Sequence, residues 1–203
     1  MIILVGESAS GKTTVAKLLQ EKYGMKMITT YTTRPMRDGE VNGVDYYFID
    51  REKFEDLQMH GFFAETAEYR GWLYGSSKYD YLDDNNVVVL TPHGLRQVKR
   101  VFNGRDDIHI ESVYLSIPRR DRLVKLLQRG DNIEEAYRRS LSDVGQFDGI
   151  EDEVNYIVYN DGYTYDPYEV AKIIMRLVEI SNTAPVALID DEEDDEYEDN
   201  GWE

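Results

Sequence analysis

A chain of 203 residues with 40 Asp and Glu against 23 Lys and Arg carries a formal net charge of −17 at pH 7, which argues against a protein that coats nucleic acid with a basic face. Its 41% hydrophobic and 12% aromatic residues suit a globular core, and the lack of cysteine excludes disulfide frameworks, thiol catalysis and Cys-ligated metals. The length suits one domain with elaborations or two small lobes, and the thiol-free composition suits a cytoplasmic setting.

In chain order, the five apolar residues 1–5 predict a buried strand that opens the fold and leaves no room there for a signal peptide or a membrane span. Gly6-Glu7-Ser8-Ala9-Ser10-Gly11-Lys12-Thr13 follows, then a helix over 12–22 with Val15, Leu18 and Leu19 on one face. This is G-x-x-x-x-G-K-[ST], a phosphate loop, in the strand–loop–helix setting that the motif demands. Its glycines let backbone N–H groups turn toward phosphate oxygens, and the helix N-terminus adds positive potential. Lys12 is placed to reach the β- and γ-phosphates, and the Thr13 hydroxyl to ligate Mg²⁺. With Thr14, these are the residues expected to hold ATP.

Beyond the loop, short β-type runs alternate with helical patterns, which predicts an α/β fold with a parallel sheet. A strand is expected over 25–30. Residues 31–50, rich in Tyr, Gly, Thr and Arg, depart from the pattern and open an inserted, mostly β lobe. The lobe continues with a helix over 51–59 and strands over 62–69 and 72–74. The run 87–90 reads as a strand buried on both faces, followed by a helix over 94–102 and a strand over 108–117. Pro118 stops that strand and introduces a helix over 119–128; after a break at 129–132 a second helix covers 133–147. A strand over 154–159 and a helix over 167–180, capped by Asp166, close the domain.

The tail 181–203 is expected to be disordered: ten acidic residues fall within 190–203, leaving −7 for the rest of the chain. Its partner is left open. Against this acidic background, Arg119, Arg120, Arg122, Lys125, Arg129, Arg138 and Arg139 gather in one stretch, as a site for a small polyanion would require. Arg34 and Arg37, three apart around Pro35, are spaced to aim two guanidinium forks at one phosphate, with Tyr46 and Tyr74 as neutral donors.

The segment from Thr30-Tyr31-Thr32-Thr33-Arg34-Pro35 through Arg37-Asp38-Gly39-Glu40 to Asp45-Tyr46-Tyr47-Phe48 resembles the acceptor-nucleotide segment of guanylate kinases. Phe63-Ala64-Glu65, Tyr74-Gly75-Ser76, Gln128-Arg129-Gly130-Asp131 and Val158-Tyr159-Asn160-Asp161 resemble later family motifs in the same order. The resemblance implies a P-loop NTPase three-layer fold with a parallel central sheet, an inserted mostly-β acceptor lobe and a small helical lid. It implies a domain over 1–180, with core segments 1–30, 84–118 and 147–180, an acceptor lobe over 31–83 and a lid region over 119–146.

By the same resemblance, Arg34, Arg37, Tyr46 and Tyr74 grip the acceptor monophosphate, while Thr30, Glu65 and Ser76 face the base. A carboxylate at Glu65 accepts from guanine N1–H and its amino group together, a pair that adenine lacks. Lys12, Arg34, Arg129 and one of Arg138 and Arg139, with Arg139 favoured, neutralise charge during transfer, and Asn160 lies where donor-adenine contacts fall. Val89 and Thr91 stand where the family pattern has aspartates, so Thr91 offers the acceptor a hydroxyl only. The activity implied is transfer from ATP with Mg²⁺ to GMP or dGMP, by a monomer or homodimer; another monophosphate acceptor and a non-catalytic interaction module are the alternatives.

Overall fold

A computed structural model describes residues 1–128 and 133–183. The expected lid residue Arg129, and the acidic tail from residue 184 onward, lie outside the described residues.

The chain starts in β1 (Ile2–Val5), whose residues are all buried, and passes through the phosphate loop into α1 (Lys12–Tyr23). It then forms β2 (Lys26–Met27), β3 (Tyr31–Thr32), β4 (Tyr47–Phe48), α2 (Arg51–Met59), β5 (Phe63–Tyr69) and β6 (Trp72–Ser77). After a 3₁₀ turn at Lys78–Leu82 come β7 (Asn86–Val89), α3 (Pro92–Val101), β8 (Glu111–Ser116), α4 (Arg119–Gln128) and α5 (Ile133–Ser142). The last elements are β9 (Tyr156–Tyr159) and α6 (Pro167–Thr183). Asp166 caps α6 as its sequence position predicts, its Oδ1 accepting from the N–H groups of Tyr168 at 2.8 Å and Glu169 at 2.9 Å.

Two sheets result. The core sheet is parallel in the order β2-β7-β1-β8-β9; the second has the order β4-β3-β6-β5, with only the β3–β4 pair parallel. Because side chains alternate across a strand, β1 serves two cores at once. Ile2 and Leu4 join Val15, Leu19, Leu115, Ala171 and Ile174 beneath α1 and α6. Ile3 and Val5 join Leu95, Val98, Tyr114 and Ile150 beneath α3. Helices thus cover both faces, giving three layers, and β1 lies at the centre. The connections from β1 and β7 leave toward opposite faces, which opens a crevice at the C-terminal edge of the sheet.

Several boundaries differ from the sequence expectation. The strand expected over 25–30 is only β2, at Lys26–Met27: Ile28 N–H still bonds Val87 O at 3.0 Å, but the chain then leaves for the second sheet, where Thr32 of β3 pairs with Tyr74. The strand expected to end at Tyr74 runs to Ser77, because pairing with β5 overrides the weak strand preference of Gly75-Ser76-Ser77. The helix expected over 133–147 ends at Ser142, ahead of Gly145 at φ 77°.

Ile174 is fully buried between α6 and the sheet. Ile174→Ala should lower stability by about 2–5 kcal/mol in urea unfolding, the cost of removing buried methylenes from a packed site.

Candidate active site

The phosphate loop is shaped by two glycines. A Cβ on Gly6 would lie 2.9 Å from the Leu115 carbonyl oxygen of the neighbouring strand and 2.6 Å from Ser10 Oγ, so only glycine lets the loop leave β1 this close to β8. Gly11, the residue before α1, sits at φ 93°, in the left-handed region. Lys12 folds back over the loop, its Nζ donating to Glu7 O at 2.8 Å and to Ser10 Oγ at 3.4 Å. Burial pushes the Lys12 ammonium down to about 8, against the upward pull of the Asp143 and Glu7 carboxylates.

Beside the loop lies a cavity of about 550 Å³, bounded by Ala9–Gly11, Thr13 and Thr14 on one side and by Asn160, Tyr163 and Tyr165 on the other. Asn160 is buried and closes its own loop, its Nδ2 donating to Tyr165 O at 2.9 Å and its Oδ1 accepting from Tyr165 N–H at 2.8 Å. Tyr163 reaches across, donating its O–H to Ala9 O at 2.8 Å. The Lys125 ammonium lies 5.2 Å from the centre of the Tyr163 ring. Pocket and phosphate loop are therefore tied together by side chains from the far end of the sheet.

In the second sheet, Arg34 is buried and its guanidinium lies 5.4 Å from the Tyr46 ring centre and 5.5 Å from that of Phe48. The Tyr46 and Tyr74 rings meet edge to face at 6.1 Å. Glu40, to which sequence reasoning gave no role, completes this group. It takes Arg34 in a two-pronged pair at 2.7 and 3.0 Å and accepts from Arg37 N–H at 2.8 Å. Bonding to Arg34, then to the Arg37 N–H, holds the Glu40 carboxyl below its usual range. Arg37 itself is exposed.

Glu65 points inward from β5. A bulge advances the strand by two residues, Phe63 to Glu65, against one on β6, Ser77 to Ser76, and so sets Glu65 opposite Ser76. The Ser76 hydroxyl donates to Glu65 Oε1 at 2.7 Å and lies 2.8 Å from the hydroxyl of the fully buried Tyr81. Burial raises the Glu65 carboxyl, with Ser76 opposing that rise. Its other oxygen faces the first turn of α3, 3.5 Å from where a Cβ on Gly94 would sit. Thr91 caps that helix, its hydroxyl accepting from Gly94 N–H at 3.1 Å. Thr30 lies where the chain passes between the sheets, its carbonyl accepting from Tyr47 N–H at 3.0 Å.

Helices α4 and α5 bring further groups to the loop. Arg122 of α4 is buried; its Nη2 lies 3.0 Å from Glu7 Oε1, its Nε donates to Ile117 O at 3.0 Å, and its Nη1 lies 3.5 Å from Ser8 O. Asp143, just beyond α5, accepts from Ser8 N–H at 2.9 Å and is 3.5 Å from Arg122. Of the two arginines expected to act in a lid, Arg138 donates to the Tyr69 hydroxyl of β5 at 3.0 Å, linking α5 and the second sheet, while Arg139 is half-buried on α5. Sequence reasoning placed Arg122 only in the arginine cluster and gave Asp143, Tyr81 and Tyr163 no role. Only the Arg122 spacing offered a signal.

A parallel sheet with a glycine-bounded loop at the C-terminal end of its central strand, running into a helix, defines a phosphate-loop nucleotide-binding protein. The family model for guanylate kinase matches residues 1–176. The chain is 35% identical over 170 residues to the guanylate kinase of Nostoc sp., covering 80% of this chain and 83% of that one. To the guanylate kinase of Rubrobacter xylanophilus it is 33% identical over 184 residues, covering 88% and 94%. The crystal structure of guanylate kinase from Anaplasma phagocytophilum superimposes with a TM-score of 0.65 at 24% identity, covering 91% of this chain and 86% of that one. The chain belongs to the guanylate kinase family.

The depressed Lys12 pKa carries a sign that can be tested. Between about 8 and the unfolded value of 10.5 the unfolded chain binds the extra proton, so stability gains from this group as pH rises through that window. Relative to Lys12→Met, the wild-type chain should therefore gain about 1–2 kcal/mol of unfolding free energy between pH about 8 and about 10.5, as read by denaturant titration. A difference that stays flat across the window would mean that Lys12 is not desolvated.

Proposed function

We propose that the chain transfers the γ-phosphoryl group of ATP to GMP or dGMP, giving ADP and GDP or dGDP. Family membership supports the reaction type. The observation that supports the acceptor is Glu65: a buried carboxylate bonded by Ser76 alone, through its hydroxyl and its backbone, keeps acceptor capacity for further N–H donors, and guanine N1–H and the amino group meet it. Lys12 and Thr13 argue against a non-catalytic module, since a binding module has no need of a cation and a metal-ligating hydroxyl at a phosphate loop.

In this reading the triphosphate lies on Gly6–Thr14 with its base in the cavity beside Asn160, and the acceptor phosphate meets Arg34, Arg37, Tyr46 and Tyr74. Thr13 would hold Mg²⁺ through its hydroxyl; one protein oxygen is enough for a cation that keeps most of its waters and takes phosphate oxygens for the rest. The ion would neutralise charge on the donor phosphates. Arg129 and Arg139 close onto the γ-phosphoryl, and closure keeps water from competing as acceptor. The acceptor phosphate oxygen forms a bond to γ-phosphorus as the bond to the bridging β-oxygen breaks, and ADP departs with that electron pair. Thr30 and Ser76 support the base, and Thr91 supplies a hydroxyl where the family pattern has a carboxylate, which suits acceptance of both GMP and dGMP.

The division of labour follows the segments: core over 1–30, 84–118 and 147–180, acceptor lobe over 31–83, lid over 119–146. We place the enzyme in the cytoplasm, as a monomer or homodimer.

ADP release measured across the common ribo- and deoxyribonucleoside monophosphates should show GMP and dGMP far ahead of the others. Lys12→Ala should lower turnover at least about 10²-fold while GMP binding persists. Glu65→Gln should cut the preference for GMP over AMP by about tenfold or more. Turnover equal to wild type in the first variant, or an unchanged base profile in the second, would remove that residue from the mechanism.

A further inference from the structure

One carboxylate of the lid rests on the phosphate loop. Asp143 Oδ2 is 2.9 Å from the N–H of Ser8 and 3.5 Å from Arg122 Nη1, and Asp143 Oδ1 is 3.4 Å from Ser8 Oγ. The position of Oδ2 is thus one where an anionic oxygen is met by a loop amide and by a guanidinium. That guanidinium is itself held in place, with Nη2 on Glu7 and Nε on the Ile117 carbonyl, and its side chain is only 7% exposed.

The location is a poor one for a carboxylate unless something else holds it there. Asp143 follows the last residue of α5, where the exposed carbonyls of the helix end repel negative charge. The attraction on it comes from Ser8, Arg122 and the Lys12 ammonium, across the fold. Beside these groups is a cavity of about 570 Å³ bounded by Glu7, Tyr114, Arg119, Arg122 and Ser140, with space for the carboxylate to move into.

We infer that the Asp143 carboxylate stands in for the terminal phosphate of the donor: ATP displaces it from the Ser8 N–H, and Arg122 then contacts the transferring phosphoryl group. This rests on the donor reading given above. Asp143 is in that case an internal competitor for the loop, and Arg122 a further catalytic residue alongside Lys12.

A purely structural tie between lid and loop predicts the opposite sign for its removal, which makes the test decisive. Binding of the β,γ-imido analogue of ATP, of ADP and of AMP is measured by calorimetry with Mg²⁺ on the full chain. In Asp143→Ala and Asp143→Asn the analogue should bind about three- to tenfold more tightly than to wild type, since the competing state is removed, with AMP changed less than about twofold. Arg122→Lys, which keeps the charge but loses the fork, should lower kcat about tenfold while KM for GMP stays within about twofold. Unchanged or weaker analogue binding in both Asp143 variants overturns the competitor, and an unchanged kcat in Arg122→Lys overturns the contact. A wild-type chain that binds neither the analogue nor ADP would instead overturn the donor reading itself.

Discussion

A site made ready for phosphate is a cluster of donors with too few acceptors, and it must be stable before any phosphate arrives. This chain meets that constraint from within. The Lys12 ammonium returns to the Glu7 carbonyl, the Arg34 fork closes on Glu40, the Ser8 amide takes Asp143, and Arg122 lies between Glu7 and Asp143. Among the described residues no buried side-chain nitrogen or oxygen lacks a partner.

The fold delivers these groups through β1. Its alternating side chains anchor both hydrophobic layers, so the loop that leaves its C-terminal end is fixed from both faces of the sheet. β8, hydrogen-bonded to β1, carries the Leu115 carbonyl that forbids a side chain on Gly6, and the segment after β8 supplies Ile117, which orients Arg122. The second sheet hangs from the same core: Ala64 and Tyr81 belong to the layer beneath α3, while Glu65 and Ser76 beside them are joined to Tyr81 through the Ser76 hydroxyl. Packing of the lobe and placement of the Glu65 carboxylate are one structural event.

What the sequence disclosed was what its neighbours along the chain determine. The phosphate loop, the buried strand β1, the run of β7 and the cap at Asp166 each depend on residues a few positions apart, and each was legible. The second sheet was legible as a departure from α/β alternation but not in its register. Neither the break at Met27–Tyr31 nor the extension of β6 through Gly75-Ser76-Ser77 has a local cause, since both come from pairing with distant strands. Glu40 was visible as part of a motif, yet its two-pronged hold on Arg34 was not. Asp143 lies 135 positions from Ser8, and Arg122 115 positions from Glu7, beyond the reach of periodicity or spacing.

The bulge in β5 deserves a last consequence. It shifts the inside–outside alternation by one residue between Phe63 and Glu65, so that Phe63, Ala64 and Glu65 are all buried in succession. The aromatic contact of Phe63 with Phe54, at 4.5 Å, belongs to one phase of the strand and the carboxylate to the other. Chain length at this point, rather than residue identity, is therefore what joins the aromatic packing of the lobe to the burial of the Glu65 carboxylate. A lineage that lost one residue here would keep Phe54, Ser76 and Tyr81 in its sequence and yet put Phe63 and Glu65 back into ordinary alternation, turning one of the two out toward water.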